Sequence, residues 1–167
     1  MKVKYSDLKN KRVFITGGGS GIGASIVEHF CEQGSEVYFV DIDLKETKKL
    51  LNKIKKNKFR TPTFIECNLL DINKLEKTIK NIIAKKGPIH ALINNAANDD
   101  RHTPDQVDEK YWENRMAINL KHYFFAAKAV VKSMKKMKAG SIVNLSSVSW
   151  MLGEGDKVVY ETAKSAV

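Results

Sequence analysis

Arg12-Val-Phe-Ile-Thr16 runs directly into Gly17-Gly-Gly-Ser-Gly-Ile-Gly23, so five residues suited to a strand are followed by seven of which five are glycine. A short apolar run closed on its far side by glycines is the pattern of a strand buried on both faces. Beyond the turn, Ile22, Ile26, Val27, Phe30 and Cys31 recur at helical spacing, and Gly34 is placed to end the helix. A glycine turn between a strand and a helix gathers backbone N–H groups and the positive end of the helix dipole at one point, where a pyrophosphate could sit. A Cβ at Gly17 or Gly21 would obstruct the turn or the approach of the phosphates, and Gly23 allows the helix to pack closely on the strand.

The same alternation continues outward from this unit. Glu36–Asp41 reads as a second strand, and the chain then goes through a helix over 44–57, an extended run over 61–67, a helix over 71–85, an extended run over 88–93, one long helix over 104–136 and a strand over 141–145. Five such units predict an α/β fold, a doubly wound, Rossmann-like parallel sheet, in a single domain spanning residues 1–167. Asp41 stands 18 residues after Gly23, at the end of the second strand, where a carboxylate can accept hydrogen bonds from the hydroxyls of an adenosine ribose. Its charge would repel a 2′-phosphate, and Ser20 occupies the turn where an arginine could have held one, so NAD is expected over NADP. The alternative reading of Asp41 is a plain helix N-cap, because Asp41 and Asp43 both precede a helical run.

Composition narrows the remaining classes. Two cysteines, Cys31 and Cys67, cannot make a disulfide framework, no Cys/His cluster has zinc spacing, and a reducing cytoplasm is the expected setting. No apolar run is long enough for a signal or spanning segment, so no membrane association is expected. The formal net charge of +10 raises nucleic acid as a partner, but only four of the 29 basic residues are arginine. The dense lysine stretches at 45–58 and 132–138 fall on predicted outer helix faces without stacking aromatics, and no nucleic-acid partner is expected.

Thr16-Gly17-x-x-x-Gly21-x-Gly23, Asn94-Asn-Ala96, Asn119, Ser147 and Tyr160-x-x-x-Lys164 together resemble the short-chain dehydrogenase/reductase family, with Tyr160 standing 13 residues after Ser147. The resemblance implies that Gly17, Ser20, Gly21, Ile22, Gly23, Asp41, Asn68, Leu69, Asn95, Tyr160 and Lys164 bind the cofactor, and that Asn119, Ser147, Tyr160 and Lys164 are catalytic. Two departures stand out: Ala97 where the family often has glycine, and Asn68 where an aspartate commonly lies beside the adenine. Asn68 can still hydrogen-bond that ring.

The physical case for Tyr160 and Lys164 is that residues four apart share one helix face. A phenol is a poor base at neutral pH, and stabilising a phenolate enough to be useful there takes roughly 4 kcal/mol. A lysine ammonium and the positive ring of a bound nicotinamide are the natural sources. By the resemblance, Tyr160 takes the alcohol proton, Ser147 holds the substrate oxygen, Lys164 also binds the nicotinamide ribose, and Asn119 fixes a water on the proton path. Taken singly, each has a bland alternative: a turn serine, a helix-surface amide, a packing tyrosine.

Asn94-Asn-Ala-Ala-Asn-Asp-Asp-Arg-His102 and Tyr111-Trp112 resemble the subgroup that oxidises aldoses at carbon 1, with Asn98, Asp99, Arg101, Ser147 and Tyr160 as substrate contacts. An ordinary polar loop before a helix is the bland counterpart. The sequence also admits a reductase for another carbonyl class, such as ketoacyl thioesters, or an NAD-binding fragment with impaired catalysis. His102 with its aspartates is not expected to bind metal, and the other histidines read as surface or packing residues. Members of the family continue past the Tyr-Lys helix, which is expected over 157–167, so the strand at 141–145 is expected as a bare apolar edge, and a homo-oligomer as its consequence.

Overall fold

The computed structural model describes residues 3–167 and contains a five-stranded, fully parallel sheet in the order β3-β2-β1-β4-β5. The strands are β1 (Arg12–Thr16), β2 (Glu36–Asp41), β3 (Thr63–Glu66), β4 (Ala91–Asn94) and β5 (Ser141–Asn144). Helices α1 (Gly21–Glu32), α2 (Leu44–Lys56), α3 (Ile72–Lys86), α4 (Glu109–Met116), α5 (His122–Met137), α6 (Ser149–Leu152) and α7 (Val158–Ser165) make the connections.

Alternation along β1 shows why both faces must be covered. Val13 and Ile15 pack with Val27 and Cys31 of α1 and Leu50 and Ile54 of α2. Phe14 packs on the other face with Leu75 and Ile79 of α3 and Ala126 and Val130 of α5. Every apolar residue of the strand is therefore consumed by one of two apolar layers, which is why it reads as an unbroken apolar run. Both cysteines are free and buried.

The winding reverses at β1, which pairs with β2 on one side and β4 on the other. The carboxyl ends of these strands then diverge around a crevice, and the glycine turn opens into it.

One expected element is corrected. The long helix over 104–136 is broken into a 3₁₀ turn (Pro104–Gln106), α4, a π-helical segment (Ala117–Lys121) and α5. Local capping explains the first break: the Gln106 side chain accepts from the Thr103 N–H at 2.8 Å, and the Asp108 carboxylate accepts from the Tyr111 N–H at 2.7 Å to start α4. The π segment holds the buried Asn119, and a wider turn of this kind is a frequent mark of a functional site. Helix α7 is also shorter than the expected 157–167 run.

At the far side of the sheet, β5 pairs only with β4 among the described residues. Ile142 and Val143 are 38% and 44% exposed, which makes this an apolar edge.

Candidate active site

The crevice at the carboxyl ends of β1 to β4 is a cavity of about 490 Å³. Gly17, Ser20, Gly21, Ile22 and Gly23 line it from the turn, Asp41 from the end of β2, Asn68 and Leu69 from the end of β3, and Asn95, Asn98 and Asp99 from the loop after β4. One surface thus gathers all the expected cofactor residues except Tyr160 and Lys164.

The turn needs its glycines for two different reasons. A Cβ on Gly23 would lie 1.8 Å from the Gly17 carbonyl oxygen, and one on Gly17 would lie 2.8 Å from the Ala96 backbone, so both positions are closed by protein. A Cβ on Gly21 would meet no other protein atom within 4 Å; there the demand is on the backbone, whose φ of 52° lies in the left-handed region, and the space beside it is open to the cavity. Asn95 holds this geometry: its amide donates to the Thr16 and Gly17 carbonyls at 3.1 and 2.9 Å.

Asp41 is not the cap of α2. Asp43 takes that role, accepting from the Glu46 N–H at 2.9 Å. The Asp41 carboxylate instead accepts from the N–H groups of Gly19 (2.7 Å), Ile42 (2.7 Å) and Asp43 (2.9 Å), which fix a negative charge on the cavity wall at the end of β2. Three N–H donors leave a carboxylate with lone-pair capacity for a further donor.

Tyr160 and Lys164 lie beyond the end of β5, on α7. Tyr160 is half-buried, and the Lys164 ammonium lies 5.8 Å from the centre of its ring. Lys164 is 2% exposed, and burial lowers its pKa from 10.5 to about 8. Ser147 is half-buried and shares a 2.9 Å hydrogen bond with the Ser149 hydroxyl. Asn119 bonds one neighbour twice, its side chain accepting from the Asn98 N–H at 2.8 Å and donating to the Asn98 carbonyl at 2.9 Å. It therefore clamps the loop after β4 to the π segment.

Arg101 does not line the cavity. Its guanidinium pairs with Asp156, and with Glu154 at 3.7 Å, tying the loop after β4 to the segment that leads into α7. Among the described residues no three His, Cys, Asp or Glu side chains gather as metal ligands would, and no helix is long and apolar enough to cross a membrane.

The short chain dehydrogenase family profile matches residues 11–167. The chain belongs to the short-chain dehydrogenase/reductase family. A D-xylose 1-dehydrogenase from Caulobacter vibrioides is 42% identical over 98% of this chain and 64% of that protein. A protein named "Probable galactose dehydrogenase" from Rhizobium meliloti is 38% identical over 98% of this chain and 64% of its own length. Among solved structures, the ligand-free aldohexose dehydrogenase of Thermoplasma acidophilum superposes with a TM-score of 0.83 at 30% identity, over 97% of this chain and 59% of that one. The chain thus spans a little under two thirds of the length of these sugar dehydrogenases.

Short-chain dehydrogenases use a nicotinamide dinucleotide, NAD or NADP, and this site suits one. The open position at Gly21, the helix N-terminus behind it and the fixed Asp41 carboxylate match a pyrophosphate and a ribose in turn.

Two buried histidines, His102 and His122, tie together elements around the crevice, although sequence alone reads His122 as a surface or packing residue and His102 as part of a polar loop. His102 Nε2 accepts from the Val159 N–H at 3.3 Å in the first turn of α7, while Nδ1 lies 2.9 Å from both the Asp100 carbonyl and the Tyr111 hydroxyl. His122, beneath the glycine turn, approaches Thr16 Oγ1 at 3.4 Å. That hydroxyl accepts from the N–H groups of Asn95 and Ala96 at 3.1 and 3.2 Å. No spacing rule pairs His102 with Val159, 57 residues on; only the return of the chain across the sheet does. Replacing His102 by Leu is expected to speed hydrogen exchange of the Val159 amide by about tenfold, as the loss of one buried hydrogen bond would. Unchanged protection of Val159 would show that His102 does not anchor α7.

Proposed function

We propose that the protein is an NAD-dependent oxidoreductase that oxidises an aldose at carbon 1. The observation that carries this reading is the cavity itself, which has a backbone-anchored carboxylate, Asp41, at one end and the polar Asn98-Asp99 pair at the other. Kinship with sugar dehydrogenases at 42% and 38% identity supports the substrate class.

The dinucleotide would lie with its pyrophosphate on the turn at Ser20–Gly23, its adenosine ribose on Asp41 and its adenine toward Asn68 and Leu69. When bound, the nicotinamide supplies the hydride acceptor for the carbon being oxidised. The protein's share is positioning and proton transfer. Ser147 holds the substrate oxygen, and Tyr160 takes the hydroxyl proton. Lys164 supplies positive charge beside the phenol and binds the nicotinamide ribose. Asn119 serves through the loop it clamps, keeping Asn98 in register with the π segment, and Asn98, Asp99 and Tyr160 contact the sugar. Arg101 contributes to the same pocket by holding the loop against Asp156. Two buried free thiols fit the reducing cytoplasm in which such an enzyme would work.

Two titrations and one assay test the reading. NAD is expected to bind at least about tenfold more tightly than NADP, and Asp41→Ala is expected to remove most of that preference by deleting both the ribose acceptor and the repulsion. Equal affinities in the unaltered protein would end the assignment of Asp41. Absence of NAD reduction with a broad aldose panel, in the protein taken to the full length of its relatives, would reject the substrate class.

A further inference from the structure

Lys164 is surrounded by groups that the dehydrogenase motif does not include. Its ammonium donates to Tyr123 Oη at 2.7 Å and to the Leu145 carbonyl at 2.8 Å. Tyr123 Oη in turn donates to the same Leu145 carbonyl at 3.1 Å, which closes a triangle of two donors and one shared acceptor. The Tyr123 ring centre is 4.7 Å from the ammonium, nearer than that of Tyr160. Tyr123 is 4% exposed, and burial raises its pKa, so it stays a neutral phenol able to accept from Lys164. The other titratable groups facing the ammonium are Tyr160 on its own helix and His122 on α5, and burial holds His122 neutral.

We propose that Tyr123 is a positioning residue of the active site, whose phenol oxygen keeps the buried Lys164 ammonium charged and moored at the end of β5. The proposal rests on the reading of Lys164 as part of the catalytic machinery for its consequence, but not for its physical basis. An ammonium at 2% exposure needs acceptors to remain charged, and only two protein acceptors are found for its three N–H groups among the described residues. One donor is thus left for a ligand or for Tyr160. Removing Tyr123 Oη leaves the Leu145 carbonyl alone, disfavours the charged form, and lowers the pH at which Lys164 loses its proton.

The test is a ¹³Cε titration of Lys164 in the cofactor-free protein labelled with ¹³C-lysine, the resonance being assigned by its disappearance in Lys164→Arg. Lys164 is expected to titrate near pH 8 in the unaltered protein and about one pH unit lower in Tyr123→Phe, which keeps the ring and deletes only the oxygen. Tyr123→Met, which fills the hole without an oxygen, should give a shift in the same direction, so the test survives if either variant fails to fold. Phe125→Leu, two residues along the same helix, should leave the titration in place. An unshifted Lys164 in a folded Tyr123 variant overturns the proposal, as does an equal shift in Phe125→Leu, which would mean that any loosening of α5 suffices. Because no turnover is measured, this outcome is independent of aldose oxidation: a failed sugar assay with a shifted Lys164 would discard the function reading and keep the role of Tyr123.

Discussion

Tyr160→Phe is expected to lower turnover about a thousandfold while leaving cofactor affinity within a few fold, read as kcat and as the Kd for NAD. The size follows from the general-base role proposed for the hydroxyl. A positioned general base contributes about 10²- to 10⁴-fold, and no neighbour in this site offers a replacement. Lys164 is held by Tyr123 and Leu145, and Ser147 shares its hydroxyl with Ser149. Cofactor affinity should be spared because the glycine turn, Asp41 and Asn68 lie at the ends of β1 to β3, on the other side of the crevice from α7. Wild-type turnover in Tyr160→Phe would remove Tyr160 as the base. A large loss of NAD affinity would instead make it mainly a binding residue.

The second large effect is on stability in acid and centres on His122. Its side chain is fully buried, and burial lowers its pKa from 6.5 to about 3 against the opposing pull of the Ile118 backbone, with the Lys164 charge adding a smaller push downward. The Ala117 backbone opposes the shift as well, and Nδ1 has no partner within hydrogen-bond geometry among the described residues. The folded state therefore takes up this proton less readily than the unfolded chain. Stability is full above about pH 6.5 and falls as the pH drops toward 3, by up to about 5 kcal/mol at the lower end. Against a usual domain stability of about 5–15 kcal/mol, a loss of that order is large. His122→Leu is expected to move the midpoint of acid unfolding, followed by circular dichroism, down by at least about one pH unit. It should cost little at pH 7, because it removes an unpaired ring nitrogen along with one long contact to Thr16. An unchanged acid midpoint in the variant would show that carboxylate protonation, not His122, governs acid unfolding.

Both predictions concern groups placed by different kinds of information. Tyr160 and Lys164 could be picked out because their pattern is local: four residues on a helix put two side chains on one face in any such fold, while the roles proposed for them come from the family resemblance. The glycine turn was legible for the same reason, since a strand, a run of glycines and an amphipathic helix follow one another without a gap. His102, His122 and Tyr123 were not legible, because what each one touches lies 57, 106 and 41 residues away in sequence. A lone histidine or tyrosine on an apolar helix face gives no sign of whether its partner is a core methyl or a lysine ammonium. The helix over 104–136 misled for a related reason. Its apolar spacing runs on through the breaks, while the caps at Thr103 and Asp108 and the inward turn of Asn119 interrupt the backbone.

By itself the sequence determined the α/β class, the parallel sheet and the crevice, because period-two and period-3.6 apolar patterns and a turn glycine act through neighbours in the chain. It also put Asp41 on the wall of that crevice, since the end of β2 carries it there. Only the tertiary structure decided that Asp43 caps α2 while three N–H groups hold Asp41, and that Arg101 turns to Asp156 instead of the cavity. It likewise decided that a buried phenol on α5 meets the lysine of α7. The physical reason is that hydrogen bonds and charges become strong and selective only when water is excluded, and which groups lose their water together is set by how distant segments pack.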